Sequence, residues 1–134
     1  MRLTKRELNT LYFLRSIHLS QRHFYVSLHL RNSSMPEVLN KDKIIETLAT
    51  HKEQLADYGV IQIGLFGSFV QNRANESSDI DLLVDIIKEK KTFRNFMNLN
   101  YYLEDLFARK VDLITIQSLS PYIGPHILKT VQYV

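Results

Sequence analysis

The spacing of apolar residues changes along the chain, and each change predicts a new element of secondary structure. Residues 40–59 repeat apolar positions at helical spacing and end on a glycine, a residue that commonly stops helices. A nearly continuous apolar stretch over 60–66 predicts a buried strand. The pair Gly67-Ser68 ends this strand, and residues 69–72 are expected to form the start of a short helix.

A second strand is predicted over 79–86, where apolar and acidic residues alternate. One face of this strand carries Ile80, Leu82, Val84 and Ile86, and the other carries Asp79, Asp81, Leu83 and Asp85. The helix predicted over 92–108 has as its inward positions Phe93, Phe96, Met97, Leu103, Leu106 and Phe107. A third strand over 111–116 and a last helix, opened by Ser120-Pro121 with a fresh start near Pro125, complete the pattern. Alternating helices and strands predict the α/β fold class, with a sheet covered by helices.

The first 34 residues differ from the rest in composition and charge. They carry six Lys or Arg and one acidic residue, whereas residues 35–134 carry eleven basic and thirteen acidic residues. We interpret residues 1–34 as a basic N-terminal extension, either without a stable fold or an upstream leader, although their pattern also allows a helix and a strand. Residues 35–134 are predicted to be the folded domain. A nucleic-acid partner is not expected, because the positive charge lies outside that domain.

The composition excludes several classes of function. The chain contains no cysteine, which rules out disulfides, cysteine-ligated metal centres and a thiol nucleophile, and which suits a reducing cytoplasm. No apolar run is long enough to cross a bilayer. The apolar residues near the N-terminus are interrupted by polar and basic ones, unlike those of a signal peptide. We therefore expect a cytoplasmic protein without a membrane partner.

Asp79 and Asp81 are the first candidates for chemistry. They lie two residues apart on a strand, so their carboxylates point to the same side, and two anions this close repel unless a cation lies between them. Magnesium suits such a site because it binds carboxylate oxygens and leaves positions for substrate phosphates. Asp112 is a candidate for the further carboxylate that a two-metal site requires, because its apolar neighbours would face the core and leave it on the opposite face of the third strand.

Gly67 and Ser68 supply a second candidate feature. Glycine allows the backbone to approach a ligand closely, and a helix that starts after a strand presents free N–H groups. These groups and the Ser68 hydroxyl are suited to grip nucleotide phosphates opposite a metal held by the carboxylates. Such an arrangement favours phosphoryl-type transfer, which depends mainly on positioning and on charge neutralisation.

The stretch GSFVQNRANESSDIDLLVD, residues 67–85, resembles the signature of the DNA polymerase beta nucleotidyltransferase superfamily, in which Gly-Ser precedes Asp-x-Asp by ten residues. Together with VIQIGLFGS, KVDLIT and the terminal ILKTVQYV, it makes residues 36–134 resemble the minimal nucleotidyltransferases. These are small MNT-domain proteins, often paired with HEPN-domain toxins. The resemblance implies the nucleotidyltransferase fold, an α+β arrangement with a small mixed β-sheet flanked by helices.

The same resemblance implies an activity and a role for each candidate residue. Gly67 and Ser68 would bind the nucleotide phosphates, and Asp79, Asp81 and Asp112 would be the catalytic metal ligands. The implied substrate is ATP and the implied cofactor is Mg²⁺, in a two-metal site. AMP would be transferred to a hydroxyl, a tyrosine in the toxin–antitoxin members, of a partner HEPN toxin, and the chain would act as the antitoxin.

Position 71 departs from the family pattern. Gln71 stands where many relatives carry arginine, and Arg73 stands where an acid is common. If that arginine helps to hold phosphate, either Arg73 substitutes for it or turnover is weak. The intact carboxylates favour an active enzyme, and the alternative is a non-catalytic antitoxin that neutralises its toxin by direct binding. A small-molecule nucleotidyltransferase is a third interpretation, disfavoured because such relatives usually carry a second substrate domain.

Overall fold

Residues 38–134 are the part of the chain that the computed structural model describes, so the predictions for residues 1–34 lie outside it. Within this part, four strands form one sheet in the order β3-β2-β1-β4. The strands are β1 Val60–Phe66, β2 Ile80–Ile86, β3 Val111–Thr115 and β4 Gln132–Tyr133. β2 and β3 run parallel, whereas β1 is antiparallel to both β2 and β4. The predicted α/β fold with a small mixed sheet is therefore confirmed.

Four α-helices accompany the sheet in the described residues. They are α1 Lys41–Thr50, α2 Lys52–Asp57, α3 Phe93–Phe107 and α4 Gly124–Thr130. α3 connects β2 to β3, and two successive strands can run parallel only when such a crossover joins them. None of the helices between residues 38 and 134 is both long and apolar enough to cross a membrane.

The start of the described domain follows the predicted helical stripe with one difference. The single helix expected over 40–59 is two helices, α1 and α2, which meet at His51. Asn40 caps α1, because its Oδ1 accepts a hydrogen bond from the backbone N–H of Lys43 at 2.9 Å. Gly59 has a left-handed φ of +78° and leads the chain into β1. The predicted end of the helical segment near Gly59 is therefore confirmed.

The C-terminal part of the chain differs more from the prediction. The last helix was expected from Ser120, but Ser120 Oγ instead accepts a hydrogen bond from the backbone N–H of Ile123 at 3.1 Å, within a turn. α4 begins at Gly124 and has Pro125 in its first turn, where proline is well tolerated. β4 follows, pairing with residues 64 and 65 of β1. A strand of two residues carries no periodicity, so the sequence gives no sign of it.

The core lies between one face of the sheet and the helices that pack on it. The inward face of β2 is buried as predicted, and Ile80, Leu82 and Val84 are 0% exposed. Leu83, on the opposite face of β2, is also fully buried. The other buried members of the core cluster are Ile44, Leu48, Leu55, Ile63, Leu65, Phe69, Ile86, Leu99, Leu103, Val111 and Leu113. β2 is therefore a central strand held on both edges, and the acidic residues it carries sit on a rigid element.

Two positions on α3 were assigned wrongly from the sequence. Phe93 was predicted to face the core, but its side chain is 80% exposed. It is the first residue of α3, directly after the Thr92 cap, and the buried part of the helical stripe begins further along the helix. Leu99, which the prediction omitted, is fully buried together with Leu103. The apolar face of α3 therefore centres on its middle turns rather than on its first residue.

This correction leads to a matched pair of stability predictions. Leu99→Ala should lower the free energy of unfolding by about 2–5 kcal/mol, because it opens a cavity in a packed core. Phe93→Ala should change it by no more than about 0.5 kcal/mol, because the ring is already in solvent. Urea unfolding followed by circular dichroism measures both values. Equal losses for the two variants would show that the helical face has been assigned wrongly.

Candidate active site

Two of the candidate carboxylates lie side by side on neighbouring strands. In the strand register, Asp81 of β2 is opposite Asp112 of β3 and, on its other edge, opposite Phe66 of β1. Adjacent strands are about 4.8 Å apart, and side chains of paired residues point to the same face. Because their sequence neighbours are buried in the core, Asp81 and Asp112 project from the opposite face of the sheet. The structure therefore brings together two residues that are far apart in the sequence.

Asp81 carries the clearest electrostatic signal of the site. Partial burial raises the pKa of its carboxyl above the ordinary value of 3.8, and the neighbouring Asp112 and, more weakly, Asp79 raise it further. A hydrogen bond from the backbone N–H of Ser68 acts in the opposite direction on this pKa. The charged form of Asp81 is thus held in an unfavourable environment, which a bound cation would relieve.

Asp79 lies just before β2 and is the more weakly coupled partner of Asp81. Their spacing in the sequence makes Asp79 and Asp81 the expected repelling pair, but Asp112 has a larger effect than Asp79 on the pKa of Asp81. Asp79 Oδ2 is instead 3.7 Å from Nζ of Lys110, and both side chains are well exposed. An exposed ion pair of this kind contributes little stability. Asp79 can therefore leave the ammonium group of Lys110 and contact another cation at little cost in stability.

The Gly67–Ser68 pair forms a turn that faces Asp81. Gly67 follows Phe66 directly, so the turn begins at the level of Asp81 and Asp112 on the sheet. The short helix expected over 69–72 is wrong, because the structure has a three-residue 3₁₀ turn, Gly67–Phe69. The backbone of Ser68 lies near enough to Asp81 to lower the pKa of its carboxyl. The turn therefore lies directly against one of the candidate carboxylates.

Glycine is required at position 67 for two reasons. Its φ of +74° is left-handed, a conformation that side chains with a Cβ rarely adopt. A Cβ placed there would also overlap Asp81 Oδ2 and lie 2.9 Å from Asp81 Cγ. The missing side chain therefore lets the turn lie directly against the carboxylate.

These residues fit a magnesium ion that shares its ligands with a substrate. Among residues 38–134, no three His, Asp or Glu side chains form a group that could by itself hold a metal ion. Magnesium is often bound through only one or two carboxylates and completes its shell with water and substrate phosphates. The adjacent Asp81 and Asp112 supply oxygen ligands whose mutual repulsion such an ion would offset. The donor set therefore suits a metal bound together with a triphosphate.

Asp85, the fourth acidic residue of this segment, belongs to a different environment. Its Oδ1 accepts a hydrogen bond from Gln117 Nε2 at 3.0 Å and lies 3.5 Å from Lys91 Nζ. The Gln117 hydrogen bond, followed by the Lys91 charge, lowers the pKa of Asp85. Asp85 is four residues beyond Asp81, or about 13 Å along an extended strand. We assign it to the packing of the far end of the sheet.

The corner between α3 and β3, residues 108–110, lies beside the site although no motif in the sequence predicts it. There the Lys110 carbonyl accepts a hydrogen bond from the backbone N–H of Ile80 at 3.0 Å, and the Lys110 side chain reaches Asp79. Arg109, the preceding residue, contacts the loop that leads to Asp79. The only signal in the sequence is a pair of adjacent basic residues just before the strand of Asp112.

Comparisons with known proteins agree with this geometry. The model of the family described as "Polymerase beta, Nucleotidyltransferase" matches residues 42–134. The protein adenylyltransferase MntA of Thermococcus cleftensis is 40% identical over 98 residues, which cover 72% of this chain and 98% of the relative.

Two solved structures have a similar fold. One, described as that of a minimal nucleotidyltransferase, covers 72% of this chain and 98% of its own, with a TM-score of 0.63 and 24% identity. The other is a crystal structure of a toxin–antitoxin with AMP-PNP, which matches with a TM-score of 0.51 and 26% identity. This match covers 71% of this chain and 72% of that chain.

Proposed function

Because this chain belongs to the polymerase beta nucleotidyltransferase family, we propose that it transfers AMP from ATP to a hydroxyl group of a partner protein, with magnesium as cofactor. The observation that carries this proposal is the contact between the Gly67–Ser68 turn and Asp81, which lies beside Asp112. The turn and the two adjacent carboxylates meet at one end of the sheet. A similar protein named protein adenylyltransferase supports AMP as the transferred group.

The partner that we propose is the toxin of a toxin–antitoxin pair. A structure with similar fold is a toxin–antitoxin with AMP-PNP, an analogue of ATP, which supports both the kind of partner and the nucleotide. The family resemblance extends the proposal to a HEPN-class toxin and to a tyrosine hydroxyl as the acceptor. The transfer would silence the toxin, so the chain would act as an antitoxin.

The roles of the residues follow from their positions. Asp81 and Asp112 would hold the metal together with the triphosphate, and Asp79 would join them after leaving Lys110. Bound magnesium supplies charge neutralisation at the triphosphate. The Ser68 hydroxyl donates a hydrogen bond to a phosphate oxygen, and Gly67 lets the backbone come close to it. These groups are fixed before the substrate arrives, which is the main requirement of phosphoryl-type transfer.

The transfer itself exchanges one phosphorus–oxygen bond for another. The acceptor hydroxyl oxygen bonds to the α-phosphorus, the bond from this phosphorus to the α–β bridging oxygen breaks, and pyrophosphate leaves. Asp112 is the exposed member of the carboxylate pair, so it is placed to orient the incoming hydroxyl and to accept its proton. Asp81 lies packed against the Gly67–Ser68 turn.

A second candidate function is neutralisation of the toxin by binding alone. The observation that favours it concerns positions 71 and 73. Gln71 and Arg73, which depart from the family pattern, are both exposed. Their backbone N–H groups are bonded to the carbonyls of Gly67 and Ser68, at 3.1 and 2.9 Å. A glutamine cannot supply the charge of the arginine that relatives carry there. Under this function the turn is kept for its shape, and no AMP is transferred.

Intact-mass spectrometry of a candidate HEPN-type toxin separates the two functions. The toxin is incubated with this protein, magnesium and ATP, and the expected result is a mass increase equal to one added AMP or more. A parallel reaction with α,β-methylene-ATP, whose α–β bridging oxygen is replaced by carbon, should give no increase because the bond to be broken is absent.

The outcomes are distinct. An unmodified toxin that still forms a tight, protective complex would overturn the transferase proposal in favour of binding alone. An increase that requires no magnesium would overturn the assigned cofactor. Tryptic mapping of a modified toxin then identifies the acceptor, and an acceptor other than tyrosine would correct that part of the proposal.

A further inference from the structure

We propose that Arg109 is a positioning residue of this site, which holds the loop before Asp79 in place so that the carboxylates of β2 meet the Gly67–Ser68 turn. The proposal deepens the proposed function and rests on it, because positioning matters only if the site is catalytic. Arg109 lies at the corner between α3 and β3, outside the four segments on which the family resemblance rests.

The guanidinium of Arg109 touches both halves of the candidate site. Its Nη1 donates hydrogen bonds to the carbonyls of Asn75 and Ser78, each at 3.0 Å. Its Cζ also lies 5.7 Å from the ring centroid of Phe69, which is 3% exposed. Phe69 ends the turn that begins at Gly67, and Ser78 directly precedes Asp79. One side chain therefore connects the phosphate-binding turn to the start of the metal-binding strand.

The loop segment that Arg109 holds is itself a small rigid turn. Ser78 Oγ accepts a hydrogen bond from the backbone N–H of Asn75 at 2.8 Å, and Asn75 Oδ1 accepts from the N–H of Ser77 at 2.8 Å. Because these bonds lie within residues 75–78, they fix the shape of the turn and leave its position open. The two bonds from Arg109 fix that position relative to the rest of the domain.

Arg109 is in turn anchored to α3. Ala108 ends the helix in a left-handed conformation, with φ of +48°, and its N–H is bonded to the Glu104 carbonyl. The N–H of Arg109 is bonded to the same carbonyl at 3.3 Å, and Glu104 Oε1 accepts a hydrogen bond from the N–H of Val111 at 3.2 Å. These hydrogen bonds hold the backbone on both sides of Arg109. Its side chain therefore extends from a fixed position toward residues 75–78.

Arginine suits this position better than lysine does. A planar guanidinium can donate to two carbonyls and stack on an aromatic ring at the same time, whereas an ammonium is a compact, strongly hydrated charge. Arg109 is also half-buried, so water does not replace its contacts completely. Arg109→Lys should therefore retain part of the function, and Arg109→Ala should retain less.

The test compares kinetics with local hydrogen exchange. In Arg109→Ala, kcat for AMP transfer should fall about 10- to 100-fold, because small displacements of catalytic groups are costly, while the KM for ATP changes less than about threefold. Amides of residues 75–80 should exchange faster than in the wild type. Arg109→Lys should give intermediate values of both quantities.

Two control variants separate positioning from charge and from general stability. Arg94→Ala removes the same charge from an exposed position near the other end of α3, roughly 22 Å away along the helix. Ile44→Val weakens the core at a fully buried site in α1. Both controls should keep wild-type kcat, corrected for the folded fraction, and wild-type exchange over residues 75–80.

Each outcome decides the proposal. If Arg109→Ala behaves like Ile44→Val, or if its exchange rises while kcat stays unchanged, Arg109 is not a positioning residue. If the alanine variant fails to fold, the same comparison is made with Arg109→Lys. A wild type that transfers no AMP would overturn the proposed function, and unchanged exchange in the Arg109 variants would still overturn the proposed contact with the loop.

Discussion

Asp81→Asn is expected to lower AMP transfer by about a thousandfold while making the domain more stable at neutral pH. The loss of activity follows because an amide cannot replace a carboxylate as a magnesium ligand, and several kcal/mol of charge stabilisation at the phosphate disappear with the metal. The gain in stability follows because burial, Asp112 and Asp79 all disfavour the charged form of Asp81. Asparagine is neutral, and its Oδ1 can still accept the hydrogen bond from Ser68.

The stability difference between Asp81→Asn and the wild type should depend on pH. The folded-state pKa of Asp81 is raised above 3.8, so the folded protein keeps this proton to a higher pH than the unfolded chain does. Between the two pKa values the unfolded chain binds fewer protons, and wild-type stability therefore falls as the pH rises. The asparagine variant should become more stable than the wild type above about pH 4, the ordinary range of this carboxyl. The difference in the free energy of unfolding should reach its full size at neutral pH.

Urea unfolding at several pH values and mass spectrometry of the toxin measure the two effects of this substitution. Magnesium and ATP added together at neutral pH should stabilise the wild type and leave Asp81→Asn unchanged, because a ligand that binds only the folded state shifts the unfolding equilibrium. An asparagine variant that transfers AMP at the wild-type rate would remove Asp81 from the mechanism. A variant less stable than the wild type at pH 7 would contradict the electrostatic account.

Gly67→Ala is expected to damage both stability and activity. Alanine is strained at a φ of +74°, and its Cβ would overlap Asp81 Oδ2. The turn and the carboxylate must therefore move apart, and the free energy of unfolding should fall by about 1–3 kcal/mol. AMP transfer per folded molecule should fall by about a hundredfold or more, because Asp81 and the Gly67–Ser68 turn lose their relative positions.

Gly59→Ala is the matched control for this substitution. Gly59 has a similar φ of +78°, and a Cβ there would lie 2.9 Å from both Ile87 Cγ1 and Lys90 Cβ. Its neighbours are at the far end of β2, away from the candidate site. Gly59→Ala should therefore lose stability by a similar amount while keeping its transfer rate per folded molecule. Equal losses of activity in the two variants would show that Gly67 acts only through stability.

The strands were predictable because their signal is local. The predicted bounds of β1 agree with the structure, and the alternation along β2 places the correct side chains in the core. Asp112 was placed away from the core from its two apolar neighbours alone, and the structure confirms this. In each case the periodicity of consecutive residues decides which face a side chain occupies.

What the sequence could not predict depends on contacts between distant residues. Asp81 and Asp112 lie opposite each other because of the register between β2 and β3. No pattern within either strand specifies this register. Arg109 contacts Ser78 across 31 residues of sequence, so no local spacing reveals the contact. The helix expected after Gly67 failed for a different reason. Local spacing did not show that residues 67–69 would close into a short 3₁₀ turn.

The close packing of Gly67 against Asp81 also constrains how this domain can evolve. The two positions are 14 residues apart in sequence, yet a side chain at the first is excluded by the carboxylate at the second. Their substitutions should therefore be epistatic, and their order matters. Asp81 can be replaced by a smaller residue while Gly67 is unchanged, and this opens the space that a Cβ at position 67 requires. A lineage that abandons catalysis should accordingly lose the aspartate first and the glycine afterwards.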